Sequence, residues 1–180
     1  MQFMLDQIRL SAKAGAVFPA VVMALTIPDI AGAVDSGTTV RSNKRYREWL
    51  DAAFYTRNPR YLDHGVDGHC LYAVRCKLLH EAASDPSTSE AANYSAATRQ
   101  KKLVGFYCVA QGTFHLITAH MGAESRTILD GRTFCEEMVT AADEWLAGKL
   151  NDPSALRLIQ AMVDVRMEVP GLSRGLPVVC

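Results

Sequence analysis

The sequence contains none of the short motifs that mark common cofactor and catalytic sites. G-x-G-x-x-G, the P-loop, the nucleophile elbow G-x-S-x-G and the zinc-protease motif H-E-x-x-H do not occur in its 180 residues. There is no C-x-x-C pair, and the five cysteines are odd in number. The cysteine usage argues against a disulfide framework and favours a reducing compartment, the cytoplasm. We expect neither a cofactor nor a metal ion.

An excess of charge of either sign is also missing. Lys and Arg together number 19, as do Asp and Glu, so the formal net charge is zero. A neutral chain gives no global attraction to nucleic acid or to an anionic membrane, and any RNA contact would need a local basic patch. The length fits one domain, residues 1–180.

Long hydrophobic runs are limited to one stretch near the N-terminus, residues 14–27. Three interpretations are open: a buried core helix, a signal peptide, or a membrane span. Lys13 before the run and the small residues 31–33 suit a signal peptide. The amphipathic residues before the run and the interruptions at Pro19 and Pro28 favour a core helix, because they leave too short a stretch to span a bilayer.

Hydrophobic periodicity and turn residues predict a mainly α fold in the first half of the chain. We expect helices over 3–26, from Pro28 to Gly37, from a Ser42 cap to about residue 50, and over 70–83, with a loop at 56–69.

The second half begins with a polar linker, 84–98, and then becomes β-prone. Strands are predicted at 104–110, 114–119 and 127–129, and helices at 132–150 and 154–167. The predicted fold is therefore a helical bundle with a small antiparallel β-hairpin or meander inserted around 103–129, and with a C-terminal tail at 168–180.

The helix predicted over 70–83 carries the main functional candidates, Arg75 and His80. They lie five positions apart, which is about 140° around a helix axis, so they do not share one stripe. Two such helices packed about a two-fold axis would bring both pairs into one cleft. There the histidine would transfer protons, and the arginine would stabilise charge on a phosphorane during metal-free RNA cleavage.

The R-x4-H spacing from Arg75 to His80 resembles the signature of the HEPN superfamily, helical ribonuclease domains of bacterial defence and toxin–antitoxin systems. The resemblance covers six residues. It implies an α-helical homodimer with both motif residues at the dimer cleft, and RNA and an antitoxin or regulatory protein as further partners. Active members usually carry a polar residue directly after the arginine, where this chain has Cys76.

Two functions are left open by these residues. The first, which the sequence favours, is a metal-independent endoribonuclease or RNA-binding effector of bacterial defence, including phage defence, or of stress response. The second is a non-catalytic HEPN-like protein in which Arg75 and His80 hold a dimer or a partner. The alternative is that both residues are purely structural. Arg75 then forms an ion pair with an acidic residue, and His80 is stabilised at the C-terminus of the helix by the negative end of the helix dipole.

A basic run precedes the motif, and its members are the candidate RNA-binding residues: Arg41, Lys44, Arg45, Arg47 and, on the motif helix, Lys77. Basic residues interleaved with aromatic ones can hold single-stranded RNA by charge and stacking. The alternative is an ordinary solvated helix face whose aromatic residues belong to the core.

Two histidine patterns complete the candidates. His69, Cys76 and His80 fall on one helical stripe of zinc-ligand type, but a fourth ligand is not evident, so no zinc site is predicted. His115 and His120 are five apart in a predicted strand and should face opposite sides of it, with at least one exposed.

Overall fold

The computed structural model describes residues 1–37, 39–81, 103–107, 114–121, 124–161, 165–166 and 178–179. The predicted linker at 84–98 lies outside these residues, as does the predicted tail at 168–180 apart from 178–179. The described part is mainly helical with a small antiparallel hairpin, which confirms the predicted fold class.

The N-terminal segment forms two helices, α1 (Gln2–Lys13) and α2 (Val17–Ser36), instead of one helix over 3–26. Gly15 separates them because it adopts a φ of 84°, a left-handed conformation that an α-helix cannot continue through.

The prediction that Pro28 begins a new helix is wrong, because Pro28 lies inside α2. Proline cannot donate the backbone hydrogen bond of its position in the helix. The burial of apolar residues on both sides of Pro28 outweighs that loss, since Ile27 and Ala31 are completely buried. Gly37 ends α2 as expected, with a φ of 71°.

Helix α3 (Ser42–Trp49) continues through a π-helical turn (Leu50–Phe54) into α4 (Tyr55–Arg57). The predicted loop at 56–69 contains α5 (Arg60–Asp63), and α6 is Gly68–Glu81. Ser42 is the first residue of α3 and not its cap, because its Oγ lies 3.2 Å from the Tyr72 hydroxyl on α6. That contact takes up the oxygen that a cap would need.

The strands are β1 (Leu103–Tyr107), β2 (Ile117–Met121) and β3 (Glu124–Asp130), arranged in the order β1-β3-β2. β2 and β3 pair antiparallel as the predicted hairpin, whereas β1 pairs with β3 in parallel. The sheet is therefore mixed, which a simple meander would not produce.

Helix α7 (Gly131–Lys149) begins directly after β3, because the Asp130 carboxylate accepts a bond from the Thr133 N–H at 2.8 Å and caps the helix. Helix α8 (Pro153–Gln160) is capped in the same way by Asp152. It ends well before residue 167, and Val165–Arg166 (β4) instead pairs antiparallel with Val178–Val179 (β5).

Helix α2 is central to the fold, because it packs against α1, α3, α6, α7 and α8. It is also long and apolar enough to cross a membrane, with a mean hydropathy of 1.9 over a window that is 50% buried. Core helices and N-terminal signal sequences meet that criterion as well. The position of α2 determines the surroundings of the motif helix α6, which packs on it.

Candidate functional site

Arg75 lies on α6 and points toward α2. Its Nη2 is 2.7 Å from Oδ2 of Asp29, and the two side chains are 23% and 12% exposed. Arg75 Nη1 also donates to Cys76 Sγ at 3.9 Å, and the guanidinium lies 6.0 Å from the centre of the Tyr72 ring. The arginine of the motif is therefore engaged by groups of its own chain.

Two cations, Arg75 and Arg45 of α3, act electrostatically on Asp29, and we call these three residues the Asp29 cluster. Neither carboxylate oxygen of Asp29, nor Nε of Arg45 or Arg75, has an aligned hydrogen bond to the described residues. The Arg75 contact is thus an ion pair. Burial raises the pKa of Asp29, although both arginines oppose that shift.

The backbone of His80 lies in α6, but its side chain is outside the described residues. Its partnership with Arg75 therefore remains a prediction.

The predicted RNA-binding residues of α3 do not share one surface. Arg41 and Lys44 are exposed, and Lys44 lies 3.6 Å from Glu48. Arg45 turns inward into the Asp29 cluster and also donates to the Val40 carbonyl at 3.2 Å.

Arg47 and Lys77 are also turned away from open solvent. Arg47 packs against Gly68, where an added Cβ would lie 2.9 Å from its Cγ. Its Nη1 is 2.5 Å from His69 Nε2, so this histidine of the His69–Cys76–His80 stripe already has a partner. Lys77 is only 6% exposed, which does not suit a phosphate contact. Within the described chain, no three His, Cys, Asp or Glu side chains cluster as metal ligands would.

A second polar network, which the sequence did not indicate, surrounds His115. The imidazole lies just before β2, beside Leu116, which has a left-handed φ of 57°. Its Nδ1 accepts a hydrogen bond from the Asp130 N–H at 3.2 Å, which leaves the proton on Nε2. Nε2 lies 3.0 Å from the Tyr61 hydroxyl, and that hydroxyl donates to Glu137 at 2.6 Å.

This network joins three elements: α5 through Tyr61, the hairpin through His115, and α7 through Glu137. His115 is 7% and Glu137 17% exposed, so the network is a buried link with little solvent access. Burial alone would raise the pKa of Glu137, but hydrogen bonds from His115 and Tyr61, with the charge of Arg60, lower it. His120, in contrast, is exposed, as expected for one of the two histidines.

Glu137→Gln should reduce the free energy of unfolding by about 1–3 kcal/mol at pH 7, the usual scale for hydrogen bonds to a charged group. The folded-state pKa of Glu137 is lowered from 4.5, so its contribution is present above that value and is lost as the pH falls through the folded pKa. Urea unfolding from pH 7 to pH 3 should show the two proteins converging. Glu136→Gln, an exposed neighbour, is the control and should have little effect. A constant difference across this range would contradict the assignment.

No protein-family model, curated protein or solved structure matches this chain.

Proposed function

We propose that this protein is a non-catalytic, HEPN-like partner-binding protein of the cytoplasm, in which Arg75 joins helices instead of cleaving RNA. The observation that carries the proposal is the Arg75–Asp29 ion pair, 2.7 Å long and largely buried between α6 and α2. This is the second of the two functions that the sequence left open.

The ion pair bears on catalysis in two ways. A phosphorane clamp needs an arginine whose planar fork is free to donate to two phosphate oxygens. Here Asp29 neutralises that fork and would repel an approaching phosphate. Cys76 stands where active members of the superfamily usually have a polar residue, and this also argues against catalysis.

The partner we propose is a second copy of the chain, bound through the part of α6 that Leu79 leaves exposed beside the motif. Leu79 is 41% exposed and lies four residues after Arg75, so both residues are on the same side of the helix. An exposed leucine beside the motif is suited to a dimer interface, where apolar burial supplies the main driving force. A regulatory protein such as an antitoxin is the further partner that the HEPN resemblance implies.

The endoribonuclease or RNA-binding effector is retained as a second candidate because of one feature. Arg41 and Lys44 are exposed at the start of α3, and the Ser42–Tyr72 contact holds that end of the helix against α6. A local positive patch therefore adjoins the motif helix, as phosphate contacts require.

Light scattering at tens of micromolar should report a dimer for the wild-type chain and a monomer for Leu79→Glu, because a buried charge at the interface is strongly unfavourable. Leu150→Glu is the matched control, since Leu150 is 60% exposed at the end of α7, and it should remain dimeric. A wild-type monomer at this concentration would contradict the proposed interface.

RNA incubation in EDTA separates the two candidate functions. We expect no 2′,3′-cyclic ends from the wild type, and no gain of cleavage from Cys76→Asn. Cleavage that is lost in His80→Ala at an unchanged melting temperature would instead establish the nuclease and show that the non-catalytic proposal is wrong.

A further inference from the structure

A groove of about 470 Å³ lies between α1 and α7, away from the motif helix. Its floor is apolar and includes the buried residues Ile8, Ala12 and Val139. Pockets of this size and apolar lining, with a few polar groups at the rim, are typical of small-molecule sites.

Cations line the rim of this groove, and they differ in how they are paired. Arg9 forms ion pairs with Asp6, at 3.0 Å, and with Asp143. Lys13 and Arg132 line the same groove, and neither has an ion pair or hydrogen bond to any residue in the described part of the chain. Two positive charges are thus available to a bound anion.

Arg132 approaches the chain just after the end of α1, and Lys13 is the last residue of that helix. Nη2 of Arg132 is 3.9 Å from the point where a Cβ on Gly15 would lie, and Gly15 is two residues after Lys13. Arg132 also occupies the first turn of α7, where the helix dipole disfavours a cation. Helix stability therefore does not explain this arginine, whereas contact with an anion would.

We infer that this groove binds a small phosphate monoester, with its apolar body on the floor and its phosphate between Lys13 and Arg132. A phosphate monoester carries a charge close to −2 at neutral pH, which two cations would balance, and the guanidinium fork matches phosphate oxygens. Glu136, also at the rim, opposes the phosphate charge and is available to accept hydrogen bonds from hydroxyl groups of the ligand. This inference is independent of the function proposed for α6.

Isothermal titration of the 180-residue chain at low salt, with naphthyl phosphate as the probe, tests this inference. Binding should weaken about tenfold or more in Arg132→Gln and in Lys13→Gln, the usual scale for one lost charge-assisted contact. Glu136→Gln should bind at least as tightly as the wild type because it removes a repulsive charge. Arg157→Gln, at an exposed position of α8 that does not line the groove, is the control and should bind as the wild type does.

Two further ligands measure separately what the cations and the apolar floor contribute to binding. Naphthol lacks the charge and inorganic phosphate lacks the apolar body, so each should bind at least tenfold more weakly than naphthyl phosphate. Equal binding of inorganic phosphate would show that the floor contributes nothing. No binding of naphthyl phosphate at millimolar concentration, or unchanged binding by a folded Arg132→Gln variant, would overturn the site. Because Arg132 has no partner in the described structure and the dipole of α7 disfavours its charge, its substitution should not lower the melting temperature.

Discussion

Replacing Gly32 with alanine should lower the free energy of unfolding by about 2–4 kcal/mol, at or above the usual range for an overpacked site. An added Cβ would lie 2.6 Å from the carbonyl oxygen of Arg45 and 3.0 Å from its carbonyl carbon. Both are backbone atoms of α3, so relief requires the whole helix to move away from α2. The same displacement would separate Arg45 from Asp29.

Gly148→Ala is the matched control, because Gly148 lies in α7 and an added Cβ there would meet nothing within 4 Å. Alanine is about 1 kcal/mol more favourable than glycine inside a helix, so this variant should be more stable than the wild type. Urea denaturation should therefore give shifts of opposite sign for the two substitutions. Two shifts of the same sign would show that the close contact between α2 and α3 does not limit stability.

Arg75→Met should destabilise the protein by about 2–3 kcal/mol, near the low end for a buried pair because Arg75 is partly exposed. The variant leaves the Asp29 carboxylate in a buried position with Arg45 as its remaining counterion. Asp29→Leu should also be destabilising, since it leaves the Arg75 charge without its carboxylate. The double variant should return to within about 1 kcal/mol of the wild type, because apolar residues often replace a buried ion pair at little cost.

The pH dependence gives a second measure of the same pair. Burial raises the folded-state pKa of Asp29 above 3.8, so protonation favours the folded state, and this contribution is lost as the pH rises through the folded pKa. The penalty of Arg75→Met should therefore shrink as the pH falls toward 3.8. Arg41→Met, at an exposed position, should have little effect at any pH. Strictly additive single and double variants would mean that Arg75 is not a structural residue.

Local patterns predicted the elements whose borders are set by local chemistry. The periodic helix expected at 132–150 is α7, Gly131–Lys149, with an aspartate cap at its start. Gly37, predicted to end a short helix from Pro28, ends α2 instead, because a left-handed residue ends a helix regardless of its tertiary surroundings. Pro28 was misinterpreted for the opposite reason, since packing on both of its sides overrides the local preference to start a helix there.

The sites required information that spacing does not contain. R-x4-H spacing identified Arg75 but not its partner Asp29, although a lone carboxylate in an apolar run needs a compensating charge and was an available signal. Tyr61, His115 and Glu137 are far apart in sequence, and no periodicity relates them. The parallel pairing of β1 with β3 could not be predicted for a similar reason, because the alternation of apolar and polar residues identifies a strand but not the strand it pairs with.

The central position of α2 has a consequence for synthesis of the chain. This helix ends at Ser36, whereas α7, against which it packs, begins only at Gly131. At about 5–20 residues per second, a ribosome needs roughly 5–20 s to make the intervening chain. Throughout that interval the apolar face destined for α7 has no partner from its own fold. The nascent protein therefore presents a helix of mean hydropathy 1.9 to chaperones and targeting factors before its own core can form.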